Sequence, residues 1–434
     1  MDSLVVAQRP SSYHLGQHQH HHHHHRRTDH ASSYSSNNDV SSLLYDTVGT
    51  SVRLRPTAPA GFRRALRNQA QKVQELTLLG FSESAVAEEL YELITVGMQR
   101  LQTLRIVSLD LWSATHLQST TALAVGPALS RLVVGRQLRV LHLQRVSMGR
   151  SEAHMAALAQ ALTHHPSLQV LCMDVHSHQL KSAATSANND SSTVNLCLDP
   201  LIQALATCWQ LETVQIYLSG YQRGWLRQCN DALAVLVTRL QELALHMVSL
   251  PPSSSAWTRA MRATATLCVL HWTHVNPTQQ SQVDWTSLLR HNRSLQSISL
   301  SVPPSQRPAC WHALGQHPQV SSASLSIEQA LKQVPAFGGK SHKTTTWMDV
   351  PSEPVDPAEL AALAHSLASN PRLVHVAHTA WSRTFVQALL TLNQGPRSRY
   401  LCDVKQWWAF VAQYTQDLET LWLLLRLYPQ CVHK

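Results

Sequence analysis

Residues 158–173 read LAQALTHHPSLQVLCM. Leu158 and Leu162 lie four apart, the spacing that places side chains on one helical face. Pro166 then stops the helix. It has no amide proton to donate, and it pushes His165 before it away from helical angles. Leu168, Leu171 and Met173 follow. The last two are two apart, which points both to one side of a strand. The stretch predicts a helix, a tight turn and a short strand.

The strand phrase, L-x-x-L-x-L, recurs along the chain. Val73, Leu76, Leu78 and Leu101, Leu104, Ile106 are early copies, and Leu138, Leu141, Leu143 precede the stretch quoted. Leu211, Val214, Ile216, then Leu240, Leu243, Leu245, then Leu267, Leu270, Trp272 follow it. Leu295, Ile298, Leu300 and Val320, Ala323, Leu325 come last. Five of the eight steps between copies span 27 to 30 residues, and the steps of 37 and 43 mark insertions. A fixed period of this length sets the architecture before any single residue is considered.

The helical half keeps the same register. Ten residues before the phrase stand Leu158, Leu201, Trp257, Trp285, Cys310 and Leu363, and six before it stand Leu162, Leu205, Met261, Leu289, Leu314 and Leu367. These columns are four apart and form one apolar face. Pro166, Pro318 and Pro371 repeat the stop signal, each preceded by a polar residue: His165, His317 and Asn370.

Segments 158–173 and 288–300 (LLRHNRSLQSISL) resemble leucine-rich repeats of the ribonuclease-inhibitor-like type, over roughly residues 73–378. The resemblance implies an α/β leucine-rich-repeat solenoid, a horseshoe with a parallel strand sheet on its concave side and helices outside. The family often carries Asn or Cys at the ninth or tenth position of the phrase, and here that position varies. The copy at Leu373, Val376, His378 has a histidine where an apolar residue is expected, so the array fades there.

Three regions are expected. Residues 1–58 are Ser/His-rich and poor in core residues, the composition of a disordered tail. Residues 59–380 form the solenoid, with a basic helix at 61–72 leading into the first phrase and polar loop insertions near 177–195 and 328–356. Residues 381–434 form a helical cap, with two helices expected over 400–428, because an end repeat must shield its open core.

The chain has 434 residues, 44% of them hydrophobic and 14% charged, which supports a sizeable core. Its net charge is +9, but residues 1–72 hold nine Lys/Arg against four acids, leaving only +4 for the remainder. Nucleic acid is therefore not expected as a partner of the solenoid. No run of about 18 apolar residues exists, so no membrane span is expected. The eight cysteines are dispersed with no C-x-x-C, as for thiols of a reducing compartment, and the cytoplasm or nucleus is the expected location.

Chemical motifs are sparse. The tract His20–His25 reads as native low complexity, an appended tag or a weak metal binder. A structural zinc site needs four ligands held in fixed geometry, which a polar tail does not supply. Gly338, Gly339, Lys340 and Ser341 lack the upstream glycine of a phosphate-binding loop. No catalytic residue, cofactor or metal is assigned. Trp257, Trp272 and Trp285 fall in core columns.

What remains is the strand surface. Residues at the third, fifth and seventh phrase positions point away from the core. The candidates for contact with a protein partner are Arg105, His142, Gln144, Gln215, Tyr217, His246, His271 and Ser299. Arg105, Tyr217 and His271 lead, because aromatic and cationic groups are enriched at binding hot spots. The expected function is a non-catalytic, monomeric protein-binding scaffold. A substrate-recognition subunit of a ubiquitin ligase and a small-GTPase regulator are the alternatives, although no F-box helix precedes residue 73.

Overall fold

The computed structural model describes residues 51–54, 66–68, 70–79, 97–107, 138–146, 152–176, 194–219, 222–249, 255–273, 283–325, 356–377, 384–395 and 397–432. They belong to one compact unit, Ser41–Lys434. Met1–Val40, the His20–His25 tract, the Gly338–Ser341 segment and nearly all of both expected loops lie outside the described residues.

The centre of the protein is an eleven-stranded sheet in which neighbours in space are neighbours along the chain. The first five strands are β1 (Ser51–Leu54), β2 (Glu75–Leu79), β3 (Thr103–Val107), β4 (Val140–Val146) and β5 (Val170–His176). The sheet continues through β7 (Thr213–Ser219), β9 (Glu242–His246), β11 (Val269–Thr273), β12 (Ser297–Leu300), β13 (Ser322–Ser324) and β14 (His375–Ala377). Every pairing is parallel. The fourth phrase position aligns across the sheet: Leu76, Leu104, Leu141, Leu171, Val214, Leu243, Leu270, Ile298, Ala323 and Val376 pair in sequence. All ten are buried.

Parallel neighbours need long crossovers, and helices supply them. They are α1 (Glu152–Leu162), α2 (Asp199–Thr207), α3 (Asn230–Val237), α4 (Ser255–Ala263), α5 (Trp285–His291), α6 (Arg307–Gly315) and α7 (Pro357–Ser369). Each packs on the one before it. The two helix columns predicted from sequence are buried throughout, from Leu158 and Leu162 to Leu363 and Leu367. Trp257 stacks on Trp272 at 5.2 Å and meets Trp285 at 6.2 Å, so all three tryptophans are core residues. Asp284 and Asp356 accept amide protons of the first turns of α5 and α7, at 2.9 Å each. Pro357 fits the first turn of α7, where no donor is lost.

Four features depart from the sequence expectation. Strand β1 lies inside the predicted tail of residues 1–58. Val52 and Leu54 alternate with Ser51 and Arg53, which lets the segment add to β2 and bury its apolar pair. A second parallel sheet is present, made of β6 (Val194–Cys197), β8 (Gln222–Trp225) and β10 (Val248–Ser249). Strand β6 begins within the loop expected to end at 195. Met247 has φ 61°, the left-handed turn by which the chain leaves β9 for β10. The expected helix at 61–72 ends instead in a 3-10 turn at Ala70–Lys72.

The C-terminal region also differs. Among the described residues it holds α8 (Thr384–Gln394) and α9 (Arg397–Cys402) ahead of the two helices expected over 400–428, α10 (Val404–Val411) and α11 (Leu418–Leu427). Helix α8 packs on α7 as the earlier helices pack on one another. Pro396 follows Gly395, and among the described residues no strand comes after α8. Trp407, Phe410 and Tyr428 close this end with ring centroids 5.3–6.2 Å apart. His378 lies outside the described residues.

A ladder of buried polar side chains joins the units. Three residues before six of the phrases stand His165, Cys208, Thr264, Asn292, His317 and Asn370, all buried. Asn292 donates to the Met261 carbonyl at 2.7 Å, and Asn370 donates to that of Leu314 at 2.9 Å. Cys208 Sγ lies 3.0 Å from the Leu162 carbonyl, and Asn393 donates to Leu367 at 2.9 Å. Each acceptor is an orphan carbonyl at the end of the preceding helix, left unpaired by helix geometry. Cys208, Asn292 and Asn370 therefore tie their turns to the units before them, and Asn393 carries the pattern past the last strand.

Candidate partner-binding face

The side chains between the buried phrase positions form the sheet face opposite the helices. Register places Arg53, Thr77, Arg105, His142, Cys172, Gln215, Ala244, His271, Ser299 and Ser324 in one row, one residue per strand. A second row holds Thr103, Val140, Val170, Thr213, Glu242, Val269 and Ser297. A third runs from Asp174 through Tyr217 and His246 to Thr273.

Neighbouring strands lie close enough for their side chains to bond across the face. Cys172 Sγ is 3.4 Å from Gln215 Oε1, and Gln215 Nε2 donates to Glu242 Oε1 at 2.6 Å. Tyr217 stacks on His246 at 4.4 Å with ring planes 17° apart. His246 Nδ1 lies 3.1 Å from Thr273 Oγ1, and its ring meets His271 edge-on at 6.3 Å. His271 Nε2 sits 3.4 Å from Ser297 Oγ.

Burial sets the electrostatics. It lowers His246 to about 3 and His271 to about 4, with the neighbouring imidazole of His271 adding to the effect on His246. Burial, then the Arg105 charge, lowers His142 to about 4. These three imidazoles are neutral at pH 7. Burial raises the Cys172 thiol to about 12, and it raises Tyr217 and the Glu242 carboxyl as well. The face is polar, and its cross-strand contacts are hydrogen bonds and ring stacking between neutral groups around β5, β7, β9 and β11.

The predicted contact residues divide into two groups. Arg105 is exposed, and His142, Gln144, Gln215 and His271 are half-buried. Tyr217, His246 and Ser299 are buried, at 4%, 2% and 0% exposure, so they are corrected from contact residues to structural ones. The physical reason is lateral stacking: Tyr217 and His246 cover each other across β7 and β9. The buried His246 Nε2, Ser299 Oγ and Ser324 Oγ have no hydrogen-bond partner among the described residues. Alternation alone gives the direction of a side chain; it does not give its accessibility.

The polar ladder also carries charge information that the sequence pattern missed. His317 Nδ1 accepts the amide protons of Gln319 and Val320 at 3.2 Å each, which requires a neutral ring, and burial lowers it to about 4. The signal was present as a polar column three residues before six of the phrases. Among the described residues no helix is long and apolar enough to cross a membrane. No protein-family model matches the chain, and no curated protein matches it.

Proposed function

We propose that the chain is a leucine-rich-repeat solenoid of the ribonuclease-inhibitor-like type, which binds a protein partner on its strand face and performs no catalysis. The observation that carries this reading is the row Arg105, His142, Cys172, Gln215, in register across β3, β4, β5 and β7. It offers an exposed guanidinium beside neutral donors and acceptors on a rigid parallel sheet. Preorganised polar groups of this kind orient a partner at little entropic cost. A curved stack of such units would make this face the concave one. The contact set narrows to Arg105, His142, Gln144, Gln215 and His271. The cytoplasm or nucleus is the compartment that fits this reading.

The test compares proteins captured by the wild type with those captured by Arg105→Glu and by Arg105→Glu combined with His142→Ala. A specific partner lost from both variants, while the variants keep the wild-type melting temperature, supports the reading. Unchanged recovery of every captured protein removes this face as the binding site.

A further inference from the structure

Two histidines stand side by side on the helical layer, away from the strand face. His312 on α6 and His365 on α7 occupy the same place in successive units, eight residues before Val320 and Leu373. Their ring centroids are 5.4 Å apart, with planes inclined at 60°. Both side chains are exposed. We propose that this pair chelates one divalent transition ion of the zinc, copper or nickel class. The site goes beyond the function proposed above and does not depend on it.

The separation suits one shared ion. Two imidazoles on a tetrahedral ion, each nitrogen about 2 Å from the metal, hold their ring centres about 5 Å apart. Inclined rings turn their edges, and so their nitrogens, toward a common point, whereas stacked rings present only their faces. Imidazole favours these ions over magnesium and calcium, which take oxygen ligands.

The fold fixes the separation through the immediate neighbours of both residues. Ser366, next to His365, donates its hydroxyl proton to the carbonyl of Trp311, next to His312. The backbones approach so closely there that a Cβ on Gly315 would lie 2.9 Å from the Cα of Ser366. A buried ion pair, Arg307 with Glu359 at 3.7 Å, spans the same two helices, and Trp311 Nε1 donates to Glu359 Oε1 at 3.3 Å. Ligands held in place before an ion arrives lose little entropy when it binds.

His365 also has a partner for its second nitrogen. Its Nε2 lies 3.4 Å from Ser369 Oγ, one helical turn on. Donation from Nε2–H to that oxygen selects the tautomer that leaves Nδ1 free for an ion. His312 makes no hydrogen bond among the described residues, so its nitrogens are open as well. Among the described residues no third His, Cys, Asp or Glu completes a cluster. Water fills the remaining positions, which makes the ion exchangeable, unlike one held by four protein ligands.

The full-length protein is treated with diethyl pyrocarbonate, with and without zinc, and each histidine is followed by mass spectrometry. With free zinc about tenfold above the dissociation constant, His312 and His365 should react about tenfold more slowly. His164 and His375, also exposed, should react at unchanged rates, and magnesium should protect none of the four. His312→Ala should restore the full rate at His365, and His365→Ala that at His312, because chelation needs both rings. Zinc should raise the urea midpoint of the wild type and leave each variant at its own zinc-free midpoint, which reads the site independently of any change in basal stability. Replacing His20–His25 by serine should alter neither readout. Absence of protection overturns the proposal, as does protection of His365 that survives His312→Ala, or equal protection of His164 and His375. A zinc effect that vanishes with the His20–His25 tract overturns it in favour of that tract.

Discussion

Tyr217 and His246 stack with their rings 4.4 Å apart and their planes 17° from parallel, joining β7 to β9 on the face opposite the helices. Both rings are buried, so the contact is part of the fold. A double-mutant cycle on Tyr217→Ala and His246→Ala, followed by urea unfolding, should return a coupling of about 0.5–1.5 kcal/mol. Additive single effects would show that the rings touch without holding the strands together.

Acid should weaken the protein through its buried histidines. His142, His271 and His317 titrate at about 4 and His246 at about 3 in the folded state, all below the ordinary value of 6.5. Above 6.5 neither state binds the proton, and stability is at its full level. As pH falls from 6.5 through 4, the unfolded chain binds protons that the folded chain refuses, and stability drops. Glu242 acts in the opposite direction, since its raised carboxyl favours the fold as pH falls. Four histidines outweigh that single carboxyl. Urea midpoints measured at pH 7.5, 6 and 5 should decline in that order, and His246→Gln should flatten the slope. A midpoint independent of pH would contradict these assignments.

The asparagine ladder should be among the costliest polar features to break. Asn370 donates to the carbonyls of Leu314 and His317 and accepts from Arg372 N, all at 2.9–3.1 Å. Asn370→Ala leaves these buried groups unpaired, with an expected loss of about 2–4 kcal/mol. Asn370→Asp should cost as much, because a carboxylate cannot donate to the two carbonyls. Denaturant titration measures both; a loss under about 1 kcal/mol would show that the turn re-forms its bonds another way.

Gly315 marks the closest approach of α6 to α7. A Cβ built there would lie 2.9 Å from the Cα of Ser366, too near for any atom pair to remain in place. Ser366 Oγ itself donates to the Trp311 carbonyl, so the two helices meet through backbone on both sides. Gly315→Ala should destabilise by about 1–3 kcal/mol even though alanine is the better helix former. A melting temperature equal to wild type would show that the helices separate freely.

His164 occupies a left-handed turn after α1, with φ 59°. An exposed non-glycine residue there carries strain of about 1 kcal/mol. His164→Gly should therefore raise the melting temperature by a few degrees, and a decrease would show that the side chain offsets the strain.

The spacing of leucines specified the short strands and the helix columns, because burial selects side chains by direction and direction follows local period; the parallel order was implied by the resemblance to leucine-rich repeats. Leu158, Leu162, Leu168, Leu171 and Met173 all stand where that period puts them. The polar column at Cys208, Asn292 and Asn370 was present in the sequence, but its meaning needed the preceding helix end, 31 to 56 residues away, brought beside it. Strand β1 and the three-stranded second sheet were decided by tertiary pairing, since a four-residue strand has too little pattern to be read alone. Accessibility was decided there too. Arg105 and Tyr217 share one sequence rule and meet opposite fates, because Tyr217 has His246 to cover it on the next strand and Arg105 remains exposed.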